Sequence, residues 1–241
     1  MDRRDVRPRH QQIAADLRAL IMAGEMAPGS QLPSTQQLVE RFSAANATIQ
    51  RALSALKREG FVYSEVGKGV YVRDKQPFVV DVAAYLPPSS GYSHTLLEVA
   101  EVRPPAEVRA ALGLADAAKA ILRRRLLSRD GEPLELSLSY YPAIIAAGTP
   151  LAKRGRIPGG APEILAELGY PQRDFVDRLS ARLPTAEEFE VLELPADVPV
   201  LRQFRVVCSD GRVPVEVSIL VKGAHLYELQ YYQEIPGPGR S

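Results

Sequence analysis

At 241 residues, 46% hydrophobic and 24% charged, the chain has the balance of a soluble globular protein and enough apolar material for two cores. Its net charge of +1 hides an asymmetry: residues 1–75 carry 12 Lys/Arg against 8 Asp/Glu, and the remainder carry 18 against 21, which is expected when one part meets phosphate. The single Cys208 excludes an intramolecular disulfide, and neither a secretory signal nor a run of about 20 apolar residues is evident, so a cytoplasmic protein is expected.

Ile13, Leu17, Leu20 and Ile21 fall on one stripe of a helix that Gly24 can terminate. After Pro28-Gly29, Ser34 is an N-cap and Gln37 completes a capping box, which predicts a second helix burying Leu38, Val39 and Phe42. Ser43-Ala44-Ala45 separates it from a third helix, capped by Asn46 or a neighbour, with Ile49, Leu53 and Leu56 inward and Gly60 at its end. Phe61-Val62-Tyr63 and Val70-Tyr71-Val72 then read as two short strands around Gly67-Lys68-Gly69. Three helices and a hairpin make a winged helix-turn-helix, whose third helix enters the major groove. Lys68, held between two glycines, suits close approach to a phosphate or the minor groove.

The ordered run Pro28-Gly29, Leu32-Pro33-Ser34-Thr35-Gln36-Gln37-Leu38, Thr48-Ile49-Gln50-Arg51-Ala52-Leu53, Leu56-Lys57-Arg58-Glu59-Gly60 and Gly67-Lys68-Gly69-Val70-Tyr71-Val72 resembles the GntR family of bacterial regulators over residues 8–74. The resemblance implies DNA contacts from Ser34, Thr35 and Gln36, from Ala45, Asn46, Ala47, Thr48 and Gln50, and from Lys68-Gly69 in the wing. Where this chain has Gln36, Asn46 and Gln50, the family usually has arginine. Arginine reads guanine, whereas Asn and Gln suit adenine, so a departure in operator sequence is expected. Arg9, Arg41, Arg51, Lys57 and Arg58 are candidates for the phosphate contacts that dominate affinity. The plainer alternative leaves Ser34 and Asn46 as caps and the basic residues as solvated surface.

Asp74-Lys75-Gln76-Pro77 reads as a polar junction, with domains expected at 1–74 and 78–241 and a linker at 75–77. Downstream one pattern occurs twice. Arg125, Asp130-Gly131, Pro133-Leu134-Glu135-Leu136-Ser137 is matched by Arg205, Asp210-Gly211, Pro214-Val215-Glu216-Val217-Ser218. Each copy reads as a hairpin with an Arg on its first strand and a Glu on its second. Helices are predicted over Pro104–Gly113, Pro162–Gly169 and Pro184–Leu192, the last with Thr185 and Glu188 as a capping box. The expected fold class is therefore α+β, a winged helix-turn-helix followed by a mostly antiparallel sheet built from two related halves.

Pro105, Leu112-Gly113-Leu114, the arginines at 123–125, Asp130-Gly131, Pro133, Glu135, Ala181-Arg182-Leu183-Pro184-Thr185 and Asp210-Gly211, Pro214, Glu216 together resemble the UTRA domain of the HutC branch, over about 78–235. That resemblance implies a chorismate-lyase-like fold, a homodimer, and a small-molecule effector held by Arg123, Arg125, Glu135, Glu216 and a polar loop at Ser93-His94-Thr95. Paired arginines offer forked donors to a carboxylate or phosphate, and glutamates accept hydroxyl or amine hydrogens. Arg123 and Arg125 share a strand face, but the face of Glu135 depends on the hairpin: an even turn puts it with Arg124, and one bulge reverses this. Branch members that bind sugar phosphates carry a tyrosine near Lys222, and this chain departs from them there, which leaves the effector, sugar phosphate or other, unidentified. A structural Arg–Glu ladder is the alternative to a pocket.

The function expected is an effector-responsive, DNA-binding transcriptional regulator, a repressor of double-stranded operator DNA, not an enzyme, with no cofactor and no membrane partner. His10, His94 and His225 show no metal spacing. Two other readings stay open: a DNA-binding dimer whose second domain only dimerises, and a lyase-like enzyme, for which no nucleophile, metal or phosphate-loop motif is found.

Overall fold

A computed structural model describes residues 5–74, 78–81, 92–195 and 198–232; the linker expected at 75–77 lies outside the described residues. Two compact units are distinguished, the first running through Phe78 with Leu194–Val198 grouped with it, the second holding Val79–Glu193 and the chain from Pro199.

In the first unit α1 (Arg9–Met22), α2 (Thr35–Phe42) and α3 (Asn46–Arg58) precede a hairpin of β1 (Val62–Glu65) and β2 (Gly69–Val72). The helical stripes close on one another: Ile13 and Leu17, Leu38, Ile49, Leu53 and Leu56 form one buried core with Val62 and Val72 of the hairpin. Each such aliphatic side chain contributes about 1.5–3 kcal/mol by leaving water. Ser34 Oγ accepts from the Gln37 amide at 3.3 Å, and Gln37 Oε1 accepts from the Ser34 amide at 2.8 Å, the capping box expected at the start of α2. That helix stops where Ser43 turns left-handed (φ 46°), redirecting the chain into α3. At the start of α3, of the two alternatives left open, Asn46 or a neighbour, it is the neighbour: the N-cap is Ala45, which makes no side-chain bond, while Asn46 is already helical. A cap needs extended backbone, which here belongs to the residue before it.

The wing is pinned to the loop before α2. Gln31 pairs with Tyr71 across the hairpin edge, and its Nε2 donates to the Lys68 carbonyl at 2.7 Å. Gly69 has φ 137°, which side-chain-bearing residues rarely adopt, and a Cβ there would also displace the Gln31 amide, 2.5 Å away.

The second unit is built on a six-stranded antiparallel sheet. Its strands are β4 (Tyr92–Val102), β5 (Ala120–Arg129), β6 (Glu132–Pro142), β7 (Asp174–Arg182), β8 (Val200–Cys208) and β9 (Pro214–Gly223), in the order β4-β5-β6-β9-β8-β7. A separate pair joins β3 (Phe78–Asp81) to β10 (Tyr227–Gln230). The three expected helices are present as α4 (Ala106–Ala111), α6 (Gly160–Glu167) and α7 (Ala186–Val191), joined by a single turn, α5 (Ala143–Ala146). On one sheet face Val108 and Leu112 pack on Leu122, Tyr140, Phe204 and Val217. On the other, Ala146, Leu151 and Leu165 pack on Ile121, Tyr141 and Val207.

The sequence repeat is a structural one. β6 and β9 pair at the centre of the sheet, and the Leu138–Ile219 pair marks a local two-fold axis. Rotation about it carries Pro133 to Pro214, Glu135 to Glu216 and Ser137 to Ser218. On the neighbouring strands it carries Arg125, opposite Ser137, to Arg205, opposite Ser218.

Candidate DNA interface and effector site

On the first unit, the helical period that buries Ile49 and Leu53 turns Ala45, Asn46, Ala47, Gln50 and Arg51 to the surface, with Thr48 half-buried. Ser34 and Gln36 are exposed and Thr35 half-buried at the start of α2. The two helices touch on this surface, where Gln50 Nε2 donates to Thr35 Oγ1 at 3.1 Å. The Asn46 amide, freed from capping, and the Gln50 carbonyl oxygen thus stand on one polar ridge. No acidic residue lies in the first turn of α3, so its positive dipole end is unopposed. Lys68 and Gly69 are exposed in the wing, with Lys68 Nζ 3.0 Å from Glu65. Lys57 is half-buried and Arg58 exposed in the last turn of α3. Arg9 is differently employed: its guanidinium donates to the Phe42 carbonyl at 3.0 Å and to Gln12 at 3.1 Å, closing the end of α2.

In the second unit the parity of the hairpin is settled by a bulge. Arg129 pairs with Glu132 and Ser128 with Pro133, but Leu127 pairs with Glu135, so Leu134 is the extra residue. Proline cannot donate to the ladder, and the irregularity sits beside it. The second hairpin has the same shift, with Cys208 on Pro214 and Val207 on Glu216. Both glutamates therefore share one sheet face with Arg123, Arg125 and Arg205.

That face carries a buried polar layer. Arg125 Nη2 donates to Ser139 Oγ at 2.9 Å, Ser139 and Ser218 exchange a 2.7 Å hydroxyl bond, and Ser218 donates to Glu216 at 2.7 Å. Glu216 also accepts from Gln172 at 2.9 Å. Across the central pair, Lys222 Nζ lies 2.9 Å from Glu135 and donates to Gln203 at 2.9 Å. Arg205 is clamped by Asp177, Nε on Oδ1 and Nη2 on Oδ2, both at 2.8 Å, over the Phe175 ring. The Tyr141 hydroxyl is buried in the same corner. Burial first and the Glu216 charge second push its pKa far above the usual phenol value, so it stays protonated.

Two expected members behave otherwise. Arg123 is buried and spends its fork on main chain, Nη1 on the carbonyls of Leu151 (2.9 Å) and Lys153 (2.8 Å) and Nη2 on that of Gly155 (3.0 Å). It holds the segment crossing that face rather than presenting donors to a ligand. Ser93-His94-Thr95 is not a loop but the start of edge strand β4. Alternation sends His94, opposite Leu127, to the polar face and Ser93 and Thr95, opposite Ser128 and Leu126, to the other side. His94 is held toward its neutral form by burial and by the Arg125 charge. Sequence reasoning missed Asp177, Ser139, Gln203, Gln172 and Lys222 as members of the layer. The repeat held one usable signal, because Ser137 and Ser218 follow the two glutamates at equal spacing. Among the described residues no cluster of His, Cys, Asp or Glu could hold a metal ion, and no helix is long and apolar enough to cross a membrane.

Comparison with known proteins divides the chain in the same order. Residues 9–72 match the family described as bacterial regulatory proteins, gntR family, and residues 90–228 match the UTRA domain. An uncharacterized HTH-type transcriptional regulator of Streptomyces coelicolor, SCO4628, is 29% identical, with 95% of this chain and 94% of that protein aligned. The HTH-type transcriptional regulator GgaR of Escherichia coli is 25% identical, covering 92% of this chain and 90% of its own. Among solved structures, PhnF from Mycobacterium smegmatis superposes with a TM-score of 0.57 at 19% identity, over 93% of this chain and all of that one. YydK from Bacillus subtilis gives 0.56 at 20%, over 95% of this chain and all of its own. At these identities the two structures speak to the fold.

Proposed function

We propose, from the premise that this chain belongs to the UTRA-domain transcriptional regulators with a gntR-type helix-turn-helix, that it is a cytoplasmic homodimeric repressor of the HutC branch. It is a DNA-binding, effector-responsive regulator and not an enzyme, as its two family matches support, and the relatives named above are HTH-type transcriptional regulators. Asn46 and Gln50, on the exposed edge of α3, read base edges, with Ser34, Thr35, Gln36, Ala45, Ala47 and Thr48 lining the approach. Arg51, Lys57 and the Lys68-Gly69 tip hold phosphates. The observation that carries this reading is the exposed ridge that joins Asn46, Gln50 and Thr35 while Ile49 between them is fully buried. Amides at those positions favour adenine, whose N6 and N7 they can engage together.

The effector is proposed to enter the polar layer beside Arg125, Glu135, Glu216 and His94, with Arg123 bracing its wall. An effector that prefers one dimer geometry shifts the spacing of the two recognition helices and lowers operator affinity. A gel shift of the full chain on the promoter fragment beside its own gene, repeated with fractionated cell metabolites, tests this. Retardation that one fraction relieves is the expected result; binding that no fraction alters would leave only a DNA-binding dimer.

A further inference from the structure

The two-fold axis at Leu138–Ile219 makes each half of the sheet a control for the other. In the second half, Arg205 on β8 stands opposite Asp177 on edge strand β7, and the carboxylate takes the guanidinium in a two-point clamp, 2.8 Å on each side. In the first half, the rotated counterpart of Arg205 is Arg125, and the residue opposite it on edge strand β4 is Leu96. The clamp is missing its anion. Arg125 makes no ion pair among the described residues: one nitrogen bonds the uncharged Ser139 hydroxyl, and its Nε is buried with no hydrogen-bond partner. A buried, unsatisfied guanidinium nitrogen costs free energy that an arriving acceptor recovers.

Charge on the inner part of this face points the same way. Four cations, Arg123, Arg125, Arg205 and Lys222, stand against three carboxylates, Asp177, Glu135 and Glu216. Arg205 is matched by Asp177 and Lys222 by Glu135, and the Arg123 donors are taken up by carbonyls. The layer lacks one negative charge. A monoanion restores the balance, whereas a phosphate dianion would bury a second charge without a partner.

We propose that the effector carries a single carboxylate, which docks on Arg125 in the position that Asp177 fills for Arg205. This rests on the effector reading given above and deepens it by naming the ligand's class. A planar carboxylate matches the guanidinium fork with two parallel bonds, as the Asp177–Arg205 pair already does in the same fold.

The test builds the missing anion into the chain. Leu96→Asp, on a half-buried edge position, is compared with its uncharged isostere Leu96→Asn by thermal denaturation of the full chain with no ligand present. The aspartate variant is expected to melt about 2–4 °C higher than the asparagine variant, and the gap should vanish when each also carries Arg125→Gln. A gap of zero, a reversed gap, or one that survives Arg125→Gln overturns the proposal. In a second arm, the wild-type chain is titrated with acetate, benzoate and gluconate, and with inorganic phosphate and glucose 6-phosphate at matched ionic strength. At least one carboxylate should raise the melting temperature of the wild type and leave that of Leu96→Asp unmoved. A response to the phosphates alone, or to no carboxylate, contradicts the assignment. Operator release by a metabolite fraction can still succeed in either case, so the effector reading and the carboxylate assignment fail separately.

Discussion

Arg123 and Arg125 are two residues apart on β5 and face the same way, yet their surroundings give them different work. Three carbonyls lie within 3.0 Å of the Arg123 guanidinium, and they converge because Leu151, Lys153 and Gly155 belong to one segment that folds over the sheet. A lysine offers a point charge in place of the fork. Arg123→Lys is therefore expected to lower the stability of the second unit by about 2–3 kcal/mol in urea denaturation, with operator contacts of the first unit unchanged. On the first unit, the division between base readers and phosphate holders separates at single residues too. Asn46→Ala should alter base preference in a selection from randomised operators. Lys57→Ala should weaken all sequences about equally and reduce the salt slope by about one. Identical behaviour of the two variants would contradict the division.

Between α2 and α3 the chain turns on Ser43, a non-glycine residue in the left-handed region. Such a residue costs about 1 kcal/mol relative to glycine in that conformation. Ser43→Gly is expected to raise stability by several tenths of a kcal/mol, the gain being partly offset by greater freedom of the unfolded chain. The opposite sign would mean that the Ser43 side chain makes a contact that outweighs the strain.

At α7, Glu188 caps the helix through Thr185 and takes a two-point bond from Arg182, 2.7 Å on each side. Burial alone would raise its pKa, but the Arg182 bond and the Thr185 amide outweigh it, and the net direction is downward. A carboxyl with a folded pKa below its unfolded value of 4.5 stabilises fully above that value and less as pH falls through the folded one. Glu188→Gln should therefore cost about 1–2 kcal/mol at pH 7, the cost shrinking as pH falls below 4.5, as read by denaturation at each pH.

At this same scale the limits of the sequence can be located. Both capping boxes, the helices and the two hairpins were legible because their signals are local: a cap and its partner lie three residues apart, and an Asp-Gly turn lies between its own strands. The facing of Glu135 was not, because it turns on whether Leu134 is absorbed as a bulge. The edge strands β4 and β7 were missed as strands. Asp174-Phe-Val-Asp-Arg-Leu-Ser-Ala-Arg182 mixes charge and small residues without a β-branched run, and its pairing partner is some 25 residues away. Lys222 could be named as a departure from a pattern, but its bond to Glu135 depends on β6 and β9 meeting at the centre of the sheet, which no local signal encodes.

For the molecule as a whole, the claim on which the rest depends is that the basic first unit reads operator DNA through the N-terminal edge of α3. It is tested most directly by fluorescence anisotropy of the full chain on the promoter fragment beside its own gene and on a scrambled fragment of equal composition, across a series of salt concentrations. The account predicts tighter binding to the promoter fragment and a log–log fall of affinity with salt, its slope set by several released counterions. Equal affinity for the two fragments, or binding that salt does not weaken, would contradict it.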